Sequence, residues 1–245
     1  MDWRGEGMLL TARVHGEASA IIEVLTRDHG RHAGLVQGGA SSRLAPALQP
    51  GAQLSLEWRA RLAEHLGQFR VDLIRSRAAA IMEDRTALVA FNAMGALLIT
   101  LLPEREPNPE TYDTTLTLAD AMATGEAGWL ADYARWEVVF LSALGFGLDF
   151  TACASSGVTE DLIYVSPRSG RAVSRDAGAP WAEKLLPLPG FLIEGGPAKP
   201  DDVCDALRMT GFFLEHWACP SFERKGLPEA RARLIDHLER MRAAG

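Results

Sequence analysis

A change of period divides the chain. Up to about Ala80 apolar residues recur at every second position, and beyond it they return every third or fourth. Strand side chains alternate between two faces and helix side chains repeat every 3.6 residues or so, so no single kind of element satisfies both stretches. In the first, Met8, Leu10, Ala12 and Val14 alternate with Leu9, Thr11 and Arg13, and the β-branched run Ala20 to Thr26 closes on the turn signal Asp28-His29-Gly30. Leu35 and Val36 precede Gly38-Gly39, a tight bend; Leu54, Leu56 and Trp58 then alternate with polar neighbours, as do Phe69, Val71 and Leu73 with theirs. Five short strands joined by glycine-rich turns predict a small closed barrel of the OB type over residues 1–80.

The second stretch predicts an α-helical bundle over residues 81–245, making the whole chain α+β. Asp84 and Thr86 stand as caps before an apolar run that ends at Leu102, and Pro103, Pro107 and Pro109 mark a loop. Trp129, Tyr133, Trp136, Phe140 and Leu144 lie on one helical face, which reads as core rather than as a base-stacking surface. At about 149–178 the rhythm breaks: Leu162 to Val165 and Arg171 to Val173 flank Ser166-Pro167-Arg168-Ser169-Gly170, a small inserted hairpin. Helical spacing returns from Val203 to Trp217, capped by Asp201 or Asp202, and a last helix opens near Pro228.

Charge is distributed along the same division. The net charge of −7 resolves into +2 for residues 1–80, which hold ten Arg and no Lys, −8 for 81–150, and −1 for the remainder. A mildly basic front beside an acidic middle can separate a polyanion-binding face from a partner-binding one. The longest apolar stretch, Ala87 to Leu102, contains Asn92 and is too short to cross a bilayer, so it predicts a buried helix. The opening residues carry two acids and no apolar core of a secretory signal, and Cys153, Cys204 and Cys219 form no Cys-x-x-Cys pair, so a cytoplasmic protein with free thiols is expected.

Catalytic signatures do not stand out. The sequence has no Gly-x-x-x-x-Gly-Lys phosphate loop, His-Glu-x-x-His pair, Gly-x-Ser-x-Gly elbow or dinucleotide fingerprint. Gly38-Gly39-Ala40-Ser41-Ser42-Arg43 lacks the lysine of a phosphate loop and reads as a turn, and His15, His29, His32 and His65, without ligand spacing, read as surface or turn histidines. The expectation is a protein that is not an enzyme and carries no cofactor.

Several segments, in order, resemble one family. Trp3 to Gly7, Gly16 to Thr26, Gly30, Leu35 to Gly39, Pro50-Gly51, Glu57 to Arg61 and Leu66-Gly67 look like the N-terminal barrel of bacterial RecO recombination-repair proteins. Glu137 to Asp149, Tyr164 to Val173 and Lys225 to Arg231 are similar to the family's later segments, so the likeness spans essentially the whole chain. The resemblance implies a mediator of DNA repair and recombination. Such a protein binds single- and double-stranded DNA, anneals complementary strands and acts with a RecR partner to load RecA onto strands coated by single-strand-binding protein (SSB). The family's hairpin often carries a four-cysteine zinc site; the matching positions here are Cys153, Ser156, Ser174 and Ala177, which predicts no zinc.

An annealing protein must hold phosphates and leave base edges free. The candidate DNA face is therefore cationic: Arg13, Arg27, Arg31, Arg43, Arg59, Arg61, Arg70, Arg75 and Arg77, with Arg59 and Arg61 on one side of a strand and Arg75 and Arg77 on one side of another. The acidic, apolar-tipped SSB C-terminal tail calls for a hydrophobic groove rimmed by cations, expected near Arg168, Arg171, Arg175, Arg208, Arg224 and Lys225. The competing reading is a protein-only adaptor whose acidic middle is the interface.

Overall fold

The computed structural model describes residues 1–62 and 64–244. They form two compact units, Met1–Gly125 and Glu126–Gly245.

The first unit opens with a barrel of β1 (Asp2–His15), β2 (Ser19–Thr26), β3 (Gly30–Val36), β4 (Gln53–Arg59) and β5 (Gln68–Arg75). Its order, β1-β2-β3-β5-β4, closes where β4 pairs with β1. All contacts are antiparallel except β3–β5, which is parallel and only two residue pairs long. Alternation works as read: Leu54, Leu56 and Trp58 of β4 turn inward with Ile22, Val24 and Phe69 to form the barrel core. The β2–β3 turn places Gly30 at φ 63°, against the backbone of Glu106, where a Cβ would collide with the Glu106 carbonyl.

Three helices complete this unit: α1 (Ala78–Glu83), α2 (Arg85–Leu101) and α3 (Pro109–Thr124). Asp84 caps α2 by accepting from the Thr86 and Ala87 N–H groups at 2.7 and 3.1 Å. Pro109, expected in a loop, instead opens α3 from its first turn, behind the Asn108 cap. The compact unit therefore runs to Gly125, well past the change of period at Ala80, because α1–α3 pack with the barrel.

The second unit holds α4 (Trp129–Ala143), β6 (Leu162–Val165), β7 (Ala172–Ser174), α5 (Arg175–Gly178), β8 (Leu186–Pro187), α6 (Phe191–Glu194), α7 (Pro200–Phe213), α8 (Cys219–Ser221) and α9 (Glu229–Ala244). The hairpin β6–β7 gains a third strand, β8, on the other side of β6. Tyr133, Trp136 and Phe140 of α4 are buried, with Trp136 and Phe140 stacked at 5.1 Å. Lys199 occupies the cap position of α7 and Pro200 its first turn, so Asp202 sits inside the helix and its carboxylate accepts from the Lys199 N–H. A π-helical turn, Leu214–Ala218, follows α7. No helix among the described residues is long and apolar enough to cross a membrane.

Candidate nucleic-acid interface

The expected nine-arginine face does not exist as a continuous track. Four of its members are consumed inside the first unit by carboxylates, all but Glu23 from the acidic stretch. Arg27 makes a bidentate pair with Asp113 on α3 at 3.1–3.2 Å. Arg31 is buried, bonded to Glu23 at 2.5 Å, to the Leu102 carbonyl and to Glu104. Arg75 and Arg77 share Asp120 at 2.9 and 2.5 Å, and the buried Arg77 also donates to the Gly51 carbonyl. These guanidiniums fasten helix to barrel. Arg75 and Arg77 do share one target, but it is a carboxylate of the same chain.

Two more lie apart. Arg61 falls beyond the end of β4, so it shares no strand face with Arg59. Arg13 is exposed opposite Ile21, whereas Arg59 pairs with Asp2 at the other end of β1; the separation from Asp2 to Arg13 is on the order of 35 Å of strand.

Arg43, Arg59 and Arg70 do converge. They line a groove of about 690 Å³ between the chain leaving β3 and the outer face of β4–β5. Register explains the convergence. Glu57 and Arg59 stand on the outer face of β4, and Arg70 and Asp72 on that of β5, with Glu57 directly opposite Arg70. Gly38, at φ 71°, turns the chain after β3 so that Ser41, Arg43 and Leu44 form the facing wall. None of the three arginines has an ion pair among the described residues, and all are exposed. Glu57 and Asp72 also line the groove. Glu57 is matched from β1 by Arg4 at 2.8 Å, a contact absent from the sequence reading although the alternation of β1 places Arg4 on the outer face.

Arg105 was missed as well, for it belongs to the acidic stretch. Its backbone adopts φ 63°, its Nη2 donates to the His65 carbonyl at 2.8 Å, and its guanidinium lies 5.9 Å from the Trp58 ring centre. Trp58 itself is core, and its indole N–H donates to the Leu66 carbonyl. His32 is not a surface histidine. It is buried in β3 against Trp3, Trp58 and Phe69; burial, then the charge of Arg105, lowers its pKa to about 4.

In the second unit the six expected cations do not gather at one groove. Arg171 pairs with Asp149 at 3.2 Å and Arg175 with Asp161 at 2.9 Å, both within the hairpin region. Arg168, Arg224 and Lys225 are exposed. Arg208, paired with Asp205, alone lines a cleft of about 340 Å³ between α7 and α9, floored by Leu207, Phe212, Ile235 and Leu238 and edged also by Glu215 and Glu239. Beneath that cleft lies Arg231, which periodicity gave no reason to single out. It grips Glu137 through Nε–Oε1 and Nη2–Oε2 bonds of 2.8 Å and donates to the Leu207 carbonyl, with both side chains buried. Thr210 also donates to Glu137, and Gly211 leaves room for the guanidinium, since a Cβ there would lie 2.8 Å from Nη1.

The profile described as "Recombination protein O N terminal" matches residues 1–77, and "Recombination protein O C terminal" matches residues 82–217. The DNA repair protein RecO of Dinoroseobacter shibae is 52% identical over 242 residues, covering 99% of this chain and 100% of that protein. The chain belongs to the RecO family. RecO of a Ruegeria species is 51% identical over 240 residues (98% and 99% of the two chains), and RecO of Roseobacter denitrificans 52% over 242 (98% and 99%). The two RecO profiles divide where the period changes, whereas compactness divides the chain later, at Gly125.

A zinc site of the kind the RecO hairpin often carries does not fit these residues. Only Cys153 supplies a thiolate, Ser156 and Ser174 bring hydroxyls and Ala177 nothing. In this chain Cys153 Sγ accepts from the N–H groups of Ser156 and Ser174 at 3.5 and 3.3 Å and from Ser174 Oγ. Burial pushes the thiol up, but these hydrogen bonds outweigh it and bring its pKa down to about 6.

Proposed function

We propose that this chain is a DNA repair and recombination mediator, without catalytic chemistry of its own, that binds single- and double-stranded DNA by its phosphates. The observation that carries this reading is the convergence of Arg43, Arg59 and Arg70, without an ion pair among the described residues, on one groove of the barrel. Guanidinium groups hold phosphate oxygens strongly and carry no sequence information, so strands stay bound while their base edges remain free to pair. Strand annealing follows from that division of labour. With Glu57 answered by Arg4, the remaining carboxylate of the groove, Asp72, keeps the attraction modest. Binding is accordingly weak, salt-sensitive and sequence-independent.

Family membership supports the remaining roles: action with RecR, engagement of the SSB C-terminal tail and delivery of RecA to SSB-coated strands. For the tail, the apolar cleft between α7 and α9 offers the required floor, and Arg208 a cation beside it. A protein-only adaptor built on the acidic stretch is disfavoured, because Glu104, Asp113 and Asp120 are already engaged by barrel arginines. The test is oligonucleotide binding by R43E/R59E/R70E, which loses affinity at low salt while R27E, whose partner is Asp113, changes it far less. Equal loss in both variants would remove the groove from the account.

A further inference from the structure

The closure of the barrel leaves part of β5 without a neighbour. β3 meets β5 only at Leu35–Gln68 and Val36–Phe69, after which the turn at Gly38 carries the chain away. β5 continues to Arg75. The Leu35 N–H donates to the Gly67 carbonyl, so odd-numbered residues here turn their backbone groups toward β3. Since that direction alternates along a strand, Val71 and Leu73 turn theirs toward the same edge, while Gln68, Arg70 and Asp72 face β4. No hydrogen bond to the edge groups of Val71 or Leu73 is present among the described residues. Register with β4 then slips, Gln53 meeting Arg75 and Leu54 meeting Leu73, which leaves Ile74 as the extra residue of a bulge. Leu73 and Ile74 are 46% and 50% exposed, unusual for apolar residues of a barrel strand.

An open edge offers donors and acceptors in alternation. Phosphates can use the N–H groups but not the carbonyls, whereas an extended peptide satisfies both. The side chains beside the edge set the character of that peptide. Arg70 stands on β5 and Arg43 on the facing wall, neither with an ion pair among the described residues, and Leu73 is an exposed apolar residue of the same edge. We propose that the β5 edge at Val71–Leu73 is a strand-addition site for an extended segment of a partner protein, apolar at alternate positions and acidic where it passes Arg43 and Arg70. The bulge at Ile74 ends the available ladder, so the added strand is short and its binding is reversible. This site borders the phosphate groove and shares Arg43 and Arg70 with it, but its ladder rests on the backbone groups of Val71 and Leu73, so the two readings can fail independently.

The test uses the full-length protein, isotope-labelled, and a seven-residue capped peptide of alternating valine and threonine with aspartate at both ends. Amide exchange at Val71 and Leu73 should slow at least ~10-fold with saturating peptide, as hydrogen-bonded edge amides do. The same peptide N-methylated at alternate valines should give no protection. Leu73→Pro removes an edge N–H without breaking the β4 ladder; it should abolish peptide binding and leave oligonucleotide affinity within about twofold. Equal protection by the N-methylated peptide, or protection elsewhere but not at Val71 and Leu73, overturns the proposal. The N-methyl comparison decides the matter even if the proline variant does not fold. Loss of oligonucleotide binding on charge reversal of Arg43, Arg59 and Arg70 is a separate result and bears only on the phosphate reading.

Discussion

Removing Glu137 should be among the costliest single substitutions in the second unit. Its carboxylate receives two guanidinium hydrogen bonds of 2.8 Å from Arg231 and another from Thr210, and it is wholly buried. Glu137→Ala strands the Arg231 guanidinium, itself only 6% exposed, with the Leu207 carbonyl and the Thr210 hydroxyl as its remaining partners. Breaking a buried pair from one side costs about 3–5 kcal/mol, because the surviving charge stays out of water without compensation. For a chain of this size that corresponds to a melting-temperature loss of roughly 10 °C. Glu137→Leu combined with Arg231→Met removes both charges and should cost far less, within about 2 kcal/mol of the parent. Urea unfolding of Glu137→Leu, of Arg231→Met and of their double variant measures the coupling directly. A Glu137→Ala cost below about 1 kcal/mol, or a double variant as unstable as the sum of the singles, would refute the reasoning.

Three further outcomes follow from individual groups. Asp72→Asn takes a carboxylate out of the arginine groove, so oligonucleotide affinity at low salt should rise about two- to fivefold in a filter-binding assay. His32 has a folded-state pKa lowered to about 4 by burial and by Arg105, so the protein should lose stability as pH falls from 6.5 through 4. His32→Phe should flatten that part of the melting-temperature profile. Cys153 is lowered from 9.0 to about 6, so the stabilisation it supplies is complete above pH 9 and is lost as pH falls through 6. The difference in melting temperature between the parent and Cys153→Ala should shrink over that interval.

Local chemistry made the barrel readable and long-range pairing hid most of its surface. Alternation in Leu54, Leu56 and Trp58 identifies β4 because strand faces repeat within a few residues. Helix α3 lacked such a signature: its buried face mixes Thr111 and Thr115 with Tyr112, Leu118 and Met122, and Pro109 marks either a loop or a first turn. The arginines show the limit most clearly. Arg27 meets Asp113 across 86 residues and Arg77 meets Asp120 across 43, so charge counted along the chain could not reveal which guanidiniums were already neutralised. The same pairings turn the contrast between a basic front and an acidic middle into an internal contact. Glu137 and Arg231 lay within segments that carry the resemblance to RecO, yet their buried partnership became evident only once α4, α7 and α9 were in place.

The salt dependence of single-strand binding tests the phosphate groove most directly. Three guanidinium–phosphate contacts should give a slope of log Kobs against log salt near −2, at about −0.7 per contact for single strands. Replacing Arg43, Arg59 and Arg70 together by glutamine should bring the slope close to zero for oligonucleotides of any sequence. An unchanged slope in that variant would contradict the account and put the DNA-binding surface elsewhere.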